Sequence, residues 1–395
     1  MSSRLFSFLR RHPMMANLLL LTFSALFSLV IAEIALRAVQ GAYSTNHHEL
    51  LAEYHPVLGW QKKPSFSGTH VGPNGIYRVR ETMNSRGIRG PEYSYEKPPQ
   101  EFRIIALGDS FAEGYTVEFE DLFSEVLKRR LNKDQSTPVE VINAGTGGYS
   151  TDQELLWFTT EGVKYNPDLV VLLFVWNDIL FNTVDRYSRG YKPLFRIEDG
   201  TLELTNVPVP PPASPAPLSF KQWLYKSSYL YRNTRDTLLK SEQITNLLVW
   251  IRLAQPRKHS ATDVPKSDAN DSSQVPDYIR LSDWSKATEQ ERRAGWKITE
   301  MLLLKLKTEV EAAGSKLLVM IVVPGISEVL SRVMSICRQN SIDCIDPSPR
   351  FRAEDIATLT FAPLDWHWNA EGHRRAAELL REHIVTHSYL PQQPD

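Results

Sequence analysis

The chain has 395 residues, of which 42% are hydrophobic and 23% are charged, and its formal net charge is −1. This length suffices for one large domain or two modest ones. Lys and Arg are not in excess, so the composition gives no electrostatic basis for binding a polyanion, and we expect no nucleic-acid partner.

The N-terminal segment contains one long apolar stretch, at residues 16–35, about as long as the ~20 residues that span a bilayer as a helix. Three arginines precede it, at positions 4, 10 and 11, whereas only Arg37 follows it closely. This bias predicts a cytoplasmic N-terminus and an extracytoplasmic remainder, periplasmic or at the cell surface. The alternative is a cleaved signal peptide, but the stretch is long for one and no clear small-x-small site ends it. We predict a single-pass anchor within residues 1–39, with Glu33 near its outer end.

Residues 40–100 are rich in Gly, Pro, Tyr and polar residues, and predict loops with a small β element. Beyond them, buried apolar runs alternate with helical patterns. The predicted strands are 102–107, 139–144, 169–175, 316–323 and 343–346. The predicted helices are 121–131, 151–162, 288–313, 327–340 and 370–386. At the start of the second helix, Thr151 and Glu154 fit a capping box.

About a hundred residues, 181–287, interrupt this alternation. Residues 207–217 are proline-rich, residues 219–253 contain helical stretches, and residues 260–275 are polar and loop-like. We predict that this segment is an insertion covering one face of the domain, which itself comprises residues 101–180 and 288–390.

The alternation of strands and helices predicts an α/β fold with a parallel sheet and helices on both faces. In such open sheets, ligands bind at the carboxyl ends of the strands. The chemistry-bearing motifs are therefore expected directly after strands.

Gly108-Asp109-Ser110 follows the first predicted strand directly. A hydroxyl at a sharp strand-to-helix turn is exposed and lies near free backbone N–H groups, which can bind an oxyanion. Gly-Asp-Ser is also ordinary turn composition. Its position after a buried strand, within LGDSFAEGY, makes Ser110 the candidate nucleophile, with its own N–H as a candidate oxyanion donor.

Two further motifs follow the second and third strands. NAGTGGY, at 143–149, contains glycines that let a backbone approach a ligand closely, although a flexible turn has the same composition. Asn177 precedes Asp178, and its amide can donate to a developing oxyanion or cap the next segment.

The last motif, Asp365-Trp366-His367-Trp368-Asn369, precedes the final helix, for which Asn369 is a plausible N-cap. On a turn, a carboxylate two residues from an imidazole can orient that ring and stabilise its charged form. His367 would then accept the proton of Ser110, with Asp365 behind it. The alternative is a surface turn whose aromatic residues pack on the domain. His373 is a rival base, but it falls inside the helix.

No His, Glu and Asp residues have zinc-ligand spacing, so we expect no metal and no other cofactor. Cys337 and Cys344 are the two cysteines of the chain. They form either one disulfide, if this part lies outside the cytoplasm, or two free thiols.

In these motifs the chain resembles the SGNH (GDSL-like) hydrolase superfamily. The resemblance covers about residues 102–175 and 316–385. It assigns the nucleophile to Ser110, the oxyanion-hole glycine to Gly148, the oxyanion-hole amide to Asn177 and the base to His367. It also implies a three-layer α/β/α sandwich with a five-stranded, flavodoxin-like parallel sheet. The strand count from the sequence agrees.

The chain departs from the family pattern in two places. Val175 stands where the third motif usually begins with Gly. The last motif is Asp-x-His rather than Asp-x-x-His, a form similar to that of cell-envelope polysaccharide acetyltransferases of the same superfamily. Asp365 is thus the site residue that the resemblance supports least.

The resemblance implies a serine esterase acting on an ester substrate, for instance an acylated glycan or a lipid. Acyl transfer or deacetylation on an envelope polysaccharide is the first alternative, with aromatic residues of the insertion as a sugar-stacking surface. A non-catalytic envelope protein that keeps the fold is the second. Fold and motifs do not choose among substrates.

Overall fold

The structure is a computed structural model, and it describes residues 12–40, 43–44, 47–134, 137–187, 189–212, 220–238, 284–322 and 327–391. The chain divides into two compact units. The smaller unit is Met1–Ala42 with Ala213–Ser272, and the larger is Tyr43–Pro212 with Ser273–Asp395. The predicted polar loop at 260–275 and the helical pattern beyond residue 238 lie outside the described residues.

The described α-helices are α1 Pro13–Gln40, α2 His47–Leu51, α3 Ser110–Glu113, α4 Phe123–Asp134, α5 Thr151–Thr160, α6 Asp178–Phe181, α7 Phe220–Ser227, α8 Tyr229–Leu238, α9 Glu289–Ala312, α10 Ser327–Gln339, α11 Ile356–Leu359 and α12 Ala370–Thr386. The described strands are β1 Tyr43–Ser44, β2 Ala52–His55, β3 Gly59–Lys62, β4 Ser67–Val71, β5 Arg78–Thr82, β6 Phe102–Gly108, β7 Val139–Asn143, β8 Leu169–Val175, β9 Arg186–Tyr187, β10 Gly190–Tyr191, β11 Leu194–Glu198, β12 Thr201–Thr205, β13 Lys316–Val322, β14 Asp343–Ile345, β15 Thr360–Phe361 and β16 Asp365–Trp368.

A five-stranded sheet in the order β14-β13-β8-β6-β7 forms the centre of the larger unit, and all its neighbouring strands are parallel. Numbered along the chain, this is the flavodoxin-like order 2-1-3-4-5. The predicted fold class is therefore confirmed. The order of the chain reverses between β6 and β8, which is the point where ligands bind in such sheets.

The sheet is covered on both faces because its central strands carry apolar residues on both of their sides. All seven residues of β8 are buried. Val170, Leu172 and Phe174 point to the face that packs on α5, α9 and α10. The alternate residues, such as Val171 and Leu173, point to the face that packs on α4 and α12. Each such side chain contributes about 1.5–3 kcal/mol through its burial, which explains the three-layer arrangement.

Helix termini follow the predictions in two cases and differ in one. Thr288 forms a capping box with Glu291 at the start of α9, and Asn369 accepts hydrogen bonds from the N–H groups of the first turn of α12. The capping box predicted at Thr151 is wrong. Thr151 is already inside α5 and its hydroxyl contacts Asp178 at 3.3 Å, which leaves it unavailable as a cap.

The segment predicted to be mostly loops, 40–100, is richer in structure than expected. It forms the hairpin β2–β3, the three-stranded sheet β1-β4-β5 and the short helix α2, which the sequence pattern did not indicate. The antiparallel pair β11–β12, within the predicted insertion, was likewise not predicted. Cys337 of α10 and Cys344 of β14 form a disulfide, with their Cα atoms 6.2 Å apart, so the alternative of two free thiols is excluded.

Helix α5 buries a carboxyl group that has no hydrogen-bond partner. Glu154 is 1% exposed, and neither of its oxygens is bonded within the part of the chain that the structure describes. Burial raises the pKa of Glu154 well above its usual range, and the nearby carboxyl of Asp178 raises it further. The folded chain therefore holds a proton on Glu154 at pH values where the unfolded chain releases it.

This buried acid predicts how stability depends on pH. Because the folded pKa is raised, the Glu154 carboxyl costs stability progressively as the pH rises above the unfolded value of about 4.5. The glutamine of Glu154→Gln cannot ionise. As the pH rises, we therefore expect the free energy of unfolding of the variant to increase relative to that of the wild type, by up to ~1.4 kcal/mol for each pH unit. Urea unfolding at about pH 6 and about pH 8 measures this difference. The exposed control Glu203→Gln should show none, and an equal pH slope in wild type and Glu154→Gln would contradict the assignment.

Candidate active site

Ser110 lies at the carboxyl end of β6, as the first residue of α3. The chain turns sharply here, since Gly108 has a φ of +149° and a Cβ at this position would lie 2.7 Å from that of Ala112. Asp109 caps α3 by accepting a hydrogen bond from the N–H of Phe111 at 2.9 Å. The turn therefore holds Ser110 at the point where the strand order reverses.

The structure brings Ser110 together with the predicted base, 257 residues away. The Oγ atom of Ser110 lies 2.7 Å from Nε2 of His367. On the other side of the ring, Nδ1 of His367 lies 2.6 Å from Oδ1 of Asp365. The three side chains thus form the hydrogen-bonded order of a Ser-His-Asp arrangement.

The short Asp-x-His spacing has a structural explanation. The sequence predicted a turn here, which is wrong, because Asp365–Trp368 forms strand β16, paired antiparallel with β15. Residues i and i+2 of a strand point to the same side, so the carboxylate of Asp365 and the imidazole of His367 lie next to each other. Oδ1 of Asp365 also accepts the backbone N–H of His367 at 3.0 Å.

Two tyrosines, which the sequence did not indicate, complete the surroundings of this pair. The hydroxyl of Tyr77, near the start of β5, donates to Oδ2 of Asp365 at 2.7 Å. The hydroxyl of Tyr115 lies 2.8 Å from Nδ1 of His367 and 3.4 Å from the same Asp365 oxygen. Both carboxylate oxygens are thereby hydrogen-bonded. Burial alone would raise the pKa of Asp365, but the hydrogen bonds from His367 and Tyr77 outweigh it and hold that pKa at about 2.

The rival base is excluded by its position. His373 lies inside α12, is 1% exposed, and its Nδ1 accepts the backbone N–H of Phe123 at 3.3 Å. Burial lowers the pKa of His373 to about 3. It therefore stays neutral, and its described hydrogen bond is to the backbone N–H at the start of α4 rather than to Ser110.

Asn177 lies directly after β8, beside the nucleophile turn. Its Nδ2 donates to Oδ2 of Asp109 at 3.3 Å, and its side chain makes no cap bond to α6. The Asn177 side chain therefore does not cap α6, which was the alternative prediction. Burial raises the pKa of Asp109, and the hydrogen bonds that this carboxylate accepts from Phe111 and Asn177 reduce the rise.

The glycine-rich loop that follows β7 packs against α3. Asn143 donates to the carbonyl of Ala112 at 2.7 Å, and the N–H of Gly147 donates to Glu113 at 2.9 Å. Gly148 has a φ of +76°, and a Cβ there would lie 2.7 Å from the ring of Tyr187. The loop thus needs glycine at position 148. The role of the Gly148 N–H as an oxyanion donor stays a prediction.

The N-terminal β segment holds this loop from its other side. Lys62 of β3 donates to the carbonyl of Gly145 at 2.6 Å, and the indole of Trp60 donates to the carbonyl of Gly147 at 3.1 Å. Both side chains are buried. These contacts join segments more than eighty residues apart, and no local pattern in the sequence indicates them.

One group of buried side chains within the described ranges has the spacing of a metal site. His47, Glu81 and Glu113 place one ligand atom each within 4.8 Å of one another. However, Arg89 lies 3.8 Å from Glu81, and the charge of buried Lys62 acts on both carboxylates. Two cations already balance the two acids, so the group fits an internally neutralised ion cluster better than a cation site.

An apolar cavity lies against the back of β16. Trp366 and Trp368 line it, opposite in direction to His367 on the same strand, together with Phe111, Phe351 and Leu359. Its volume is about 30 Å³. The aromatic residues of the last motif thus support the strand from behind.

Comparison with known proteins gives one family match, over part of the chain. Residues 106–236 match the model of the GDSL-like lipase/acylhydrolase family. No curated protein matches the sequence significantly. Among solved structures, TesA is 12% identical over 72% of this chain and 98% of its own, with a TM-score of 0.37. An acetylxylan esterase, Axe2 from Geobacillus stearothermophilus, is 12% identical over 74% and 97%, with a TM-score of 0.37. A G-D-S-L lipolytic protein from Veillonella parvula is 15% identical over 72% and 98%, with a TM-score of 0.35.

Proposed function

Because the chain carries a GDSL-like lipase/acylhydrolase domain and is an esterase of the SGNH type, we propose that it hydrolyses an acyl ester through an acyl-enzyme on Ser110. The observation that carries this proposal is the 2.7 Å hydrogen bond between Ser110 Oγ and His367 Nε2. A neutral imidazole at that distance accepts the hydroxyl proton as the oxygen attacks the ester carbonyl.

The reaction then proceeds in two halves. Attack by Ser110 gives a tetrahedral oxyanion, and the N–H groups of Ser110 and Gly148 with the amide of Asn177 are the proposed donors to it. His367 returns the proton to the leaving alcohol, and the acyl group stays on Ser110. A water molecule, deprotonated by His367, attacks the acyl-enzyme. His367 then returns that proton to the Ser110 oxygen as the ester bond breaks, which releases the free acid and restores the enzyme.

Asp365 has a supporting role in this proposal. Its carboxylate accepts Nδ1–H, which leaves Nε2 free to accept the Ser110 proton and stabilises the imidazolium that forms. Because the pKa of Asp365 is held at about 2, its carboxylate stays ionised near neutral pH.

Tyr77 fixes the far oxygen of this carboxylate, which predicts a positioning effect. Tyr77→Phe removes the 2.7 Å hydrogen bond to Asp365. We expect kcat to fall about tenfold with little change in KM, since a hydrogen bond to a charged group contributes ~1.5 kcal/mol or more. Steady-state kinetics on a p-nitrophenyl ester measure both constants. Tyr54→Phe, which loses a hydrogen bond to the carbonyl of Val209, is the matched control. An unchanged kcat in Tyr77→Phe would exclude the positioning role.

We place the catalytic domain outside the cytoplasm on a retained anchor. Helix α1 contains an apolar segment long enough to cross a membrane, at Pro13–Ala38. The most apolar residues of this segment are not buried against other parts of the protein. The basic residues before it favour a cytoplasmic N-terminus. The disulfide between Cys337 and Cys344 supports an oxidising compartment.

Acyl transfer to an envelope glycan is the second candidate function, because it would use the same residues as hydrolysis. The Asp-x-His spacing, which is similar to that of cell-envelope polysaccharide acetyltransferases, favours this candidate. An acyl balance distinguishes them. Purified full-length protein is incubated with a short acyl ester, with and without envelope-type glycan acceptors, and free acid and acylated glycan are both measured. Hydrolysis predicts that the free acid equals the released alcohol in both cases. Acylated glycan formed at the expense of free acid would establish transfer instead.

A further inference from the structure

Helix α8 begins on a carboxylate of the apolar helix α1. Glu33 accepts hydrogen bonds from the backbone N–H groups of Tyr229 and Leu230, both at 2.9 Å, and from the hydroxyl of Ser228 at 2.9 Å. Ser228 in turn accepts the N–H of Tyr231 at 3.1 Å. Three of the four N–H groups that a helix start leaves unpaired are thereby satisfied.

The same turn of α1 makes a second contact. Arg37 forms an ion pair with Glu33 at 2.8 Å, donates to the carbonyl of Ser227 at the end of α7, and lies over the ring of Tyr229 at 5.2 Å. A carboxylate near the end of an apolar helix is costly in lipid unless it is paired. Glu33 and Arg37, the two charged residues of α1, pair with each other and form hydrogen bonds to α7 and α8. These contacts explain why a carboxylate is tolerated near the end of the apolar helix.

The depth of Glu33 follows from helix geometry. The apolar stretch begins near residue 16, and a rise of 1.5 Å per residue places Glu33 about 26 Å further along the axis. The hydrocarbon core of a bilayer is about 30 Å thick. If the basic N-terminal residues mark the inner surface, Glu33 and the start of α8 lie at the outer boundary of the hydrocarbon.

The composition of α7 and α8 fits that level of a membrane. Phe220 and Trp223 are 75% and 50% exposed, and their rings stack at 5.8 Å. Arg232 and Arg235 lie over the ring of Tyr225, at 5.9 and 4.9 Å. Aromatic rings with arginines beside them are typical of the headgroup layer, where the rings enter the boundary and the charges reach phosphates.

From these contacts we propose that α7 and α8 form a membrane-surface element, held on the outer end of the anchor by Glu33 and in contact with the phospholipid headgroup layer. The inference rests on the proposed membrane anchoring of the chain. It also requires that α1 is retained in the mature protein, because cleavage would remove the carboxylate that caps α8.

The full chain in phosphatidylcholine–phosphatidylglycerol vesicles tests the lipid contact. Since Cys337 and Cys344 are disulfide-bonded, a thiol-reactive NBD dye labels only an introduced cysteine. Trp223→Cys carries the probe, and the exposed Thr201→Cys on β12 is the matched control. We expect a blue-shifted emission at position 223, quenched by lipids with a shallow doxyl group, and quenching by aqueous iodide at position 201. Equal iodide quenching at both positions, with none by doxyl lipid, would overturn the proposal.

A cross-link tests the capping contact independently. Glu33→Cys with Ser228→Cys should form a disulfide under mild oxidation, detected by gel mobility, whereas Glu33→Cys with Leu238→Cys, an exposed position about 15 Å further along α8, should not. No cross-link in the first pair would overturn the docking on α1. In every sample, a fluorophosphonate probe reports on Ser110 and a carbonate wash reports on anchoring. A labelled, membrane-bound protein without the lipid contact contradicts this inference alone, whereas loss of labelling or anchoring contradicts the proposed function.

Discussion

Ser110→Ala should lower kcat for ester hydrolysis by a factor on the order of 10⁴ to 10⁶, with a much smaller change in KM. The serine oxygen forms the covalent intermediate, and alanine leaves only water as the nucleophile. His367→Ala should cost about as much, because the hydroxyl is a poor nucleophile without a base 2.7 Å away. The double variant should be little worse than either single one, since the two residues act as a unit.

Initial rates on a short p-nitrophenyl ester measure this effect. Ser331→Ala, an exposed serine on α10, is the control and should retain wild-type rates. Circular dichroism checks that Ser110→Ala is folded. If Ser110→Ala retains more than about a tenth of the wild-type kcat, the acyl-enzyme mechanism is contradicted.

Lys192→Met should lower the free energy of unfolding by about 3–5 kcal/mol. Lys192 and Asp152 form an ion pair at 2.6 Å, and neither side chain is exposed to solvent. Lys192 also donates to the carbonyl of Phe181 at 2.8 Å. Removing the cation leaves the carboxylate of Asp152 buried without its counter-charge, and burial already raises the pKa of that group.

Urea unfolding followed by tryptophan fluorescence measures this loss in the detergent-solubilised chain. Lys305→Met, which breaks a half-exposed pair with Glu309, is the control and should cost less than about 1 kcal/mol. Combining Lys192→Met with Asp152→Asn should recover part of the loss, because no unpaired charge remains buried. Equal destabilisation by Lys192→Met and Lys305→Met would show that the buried pair does not stabilise the fold.

The parts of the fold that the sequence predicted are those with a local signal. Buried parallel strands are continuous apolar runs, so LVVLLFV at Leu169–Val175 indicated β8 correctly. The Gly-Asp-Ser turn after β6 and the Asn-Asp pair after β8 indicated the positions of Ser110 and Asn177. The helix starting at Ala370 was predicted because Asn369 is a strong N-cap.

The parts that the sequence did not predict depend on contacts between distant segments. Tyr77 reaches Asp365 across 288 residues, and nothing in the sequence around Tyr77 distinguishes it from other tyrosines. Thr151 had the local signature of a cap, but a contact with Asp178 competes for its hydroxyl. The Asp-x-His motif alone predicts a turn, and the strand that it forms depends on the pairing of β16 with β15, which no local pattern indicates.

Ser110 is the proposed nucleophile and His367 its proposed base. The most direct measurement is tandem mass spectrometry of the full-length protein after treatment with a fluorophosphonate. We expect a single stoichiometric adduct on the peptide containing Ser110, which forms slowly or not at all in His367→Ala. An adduct on another serine, or equal labelling of wild type and His367→Ala, would contradict it.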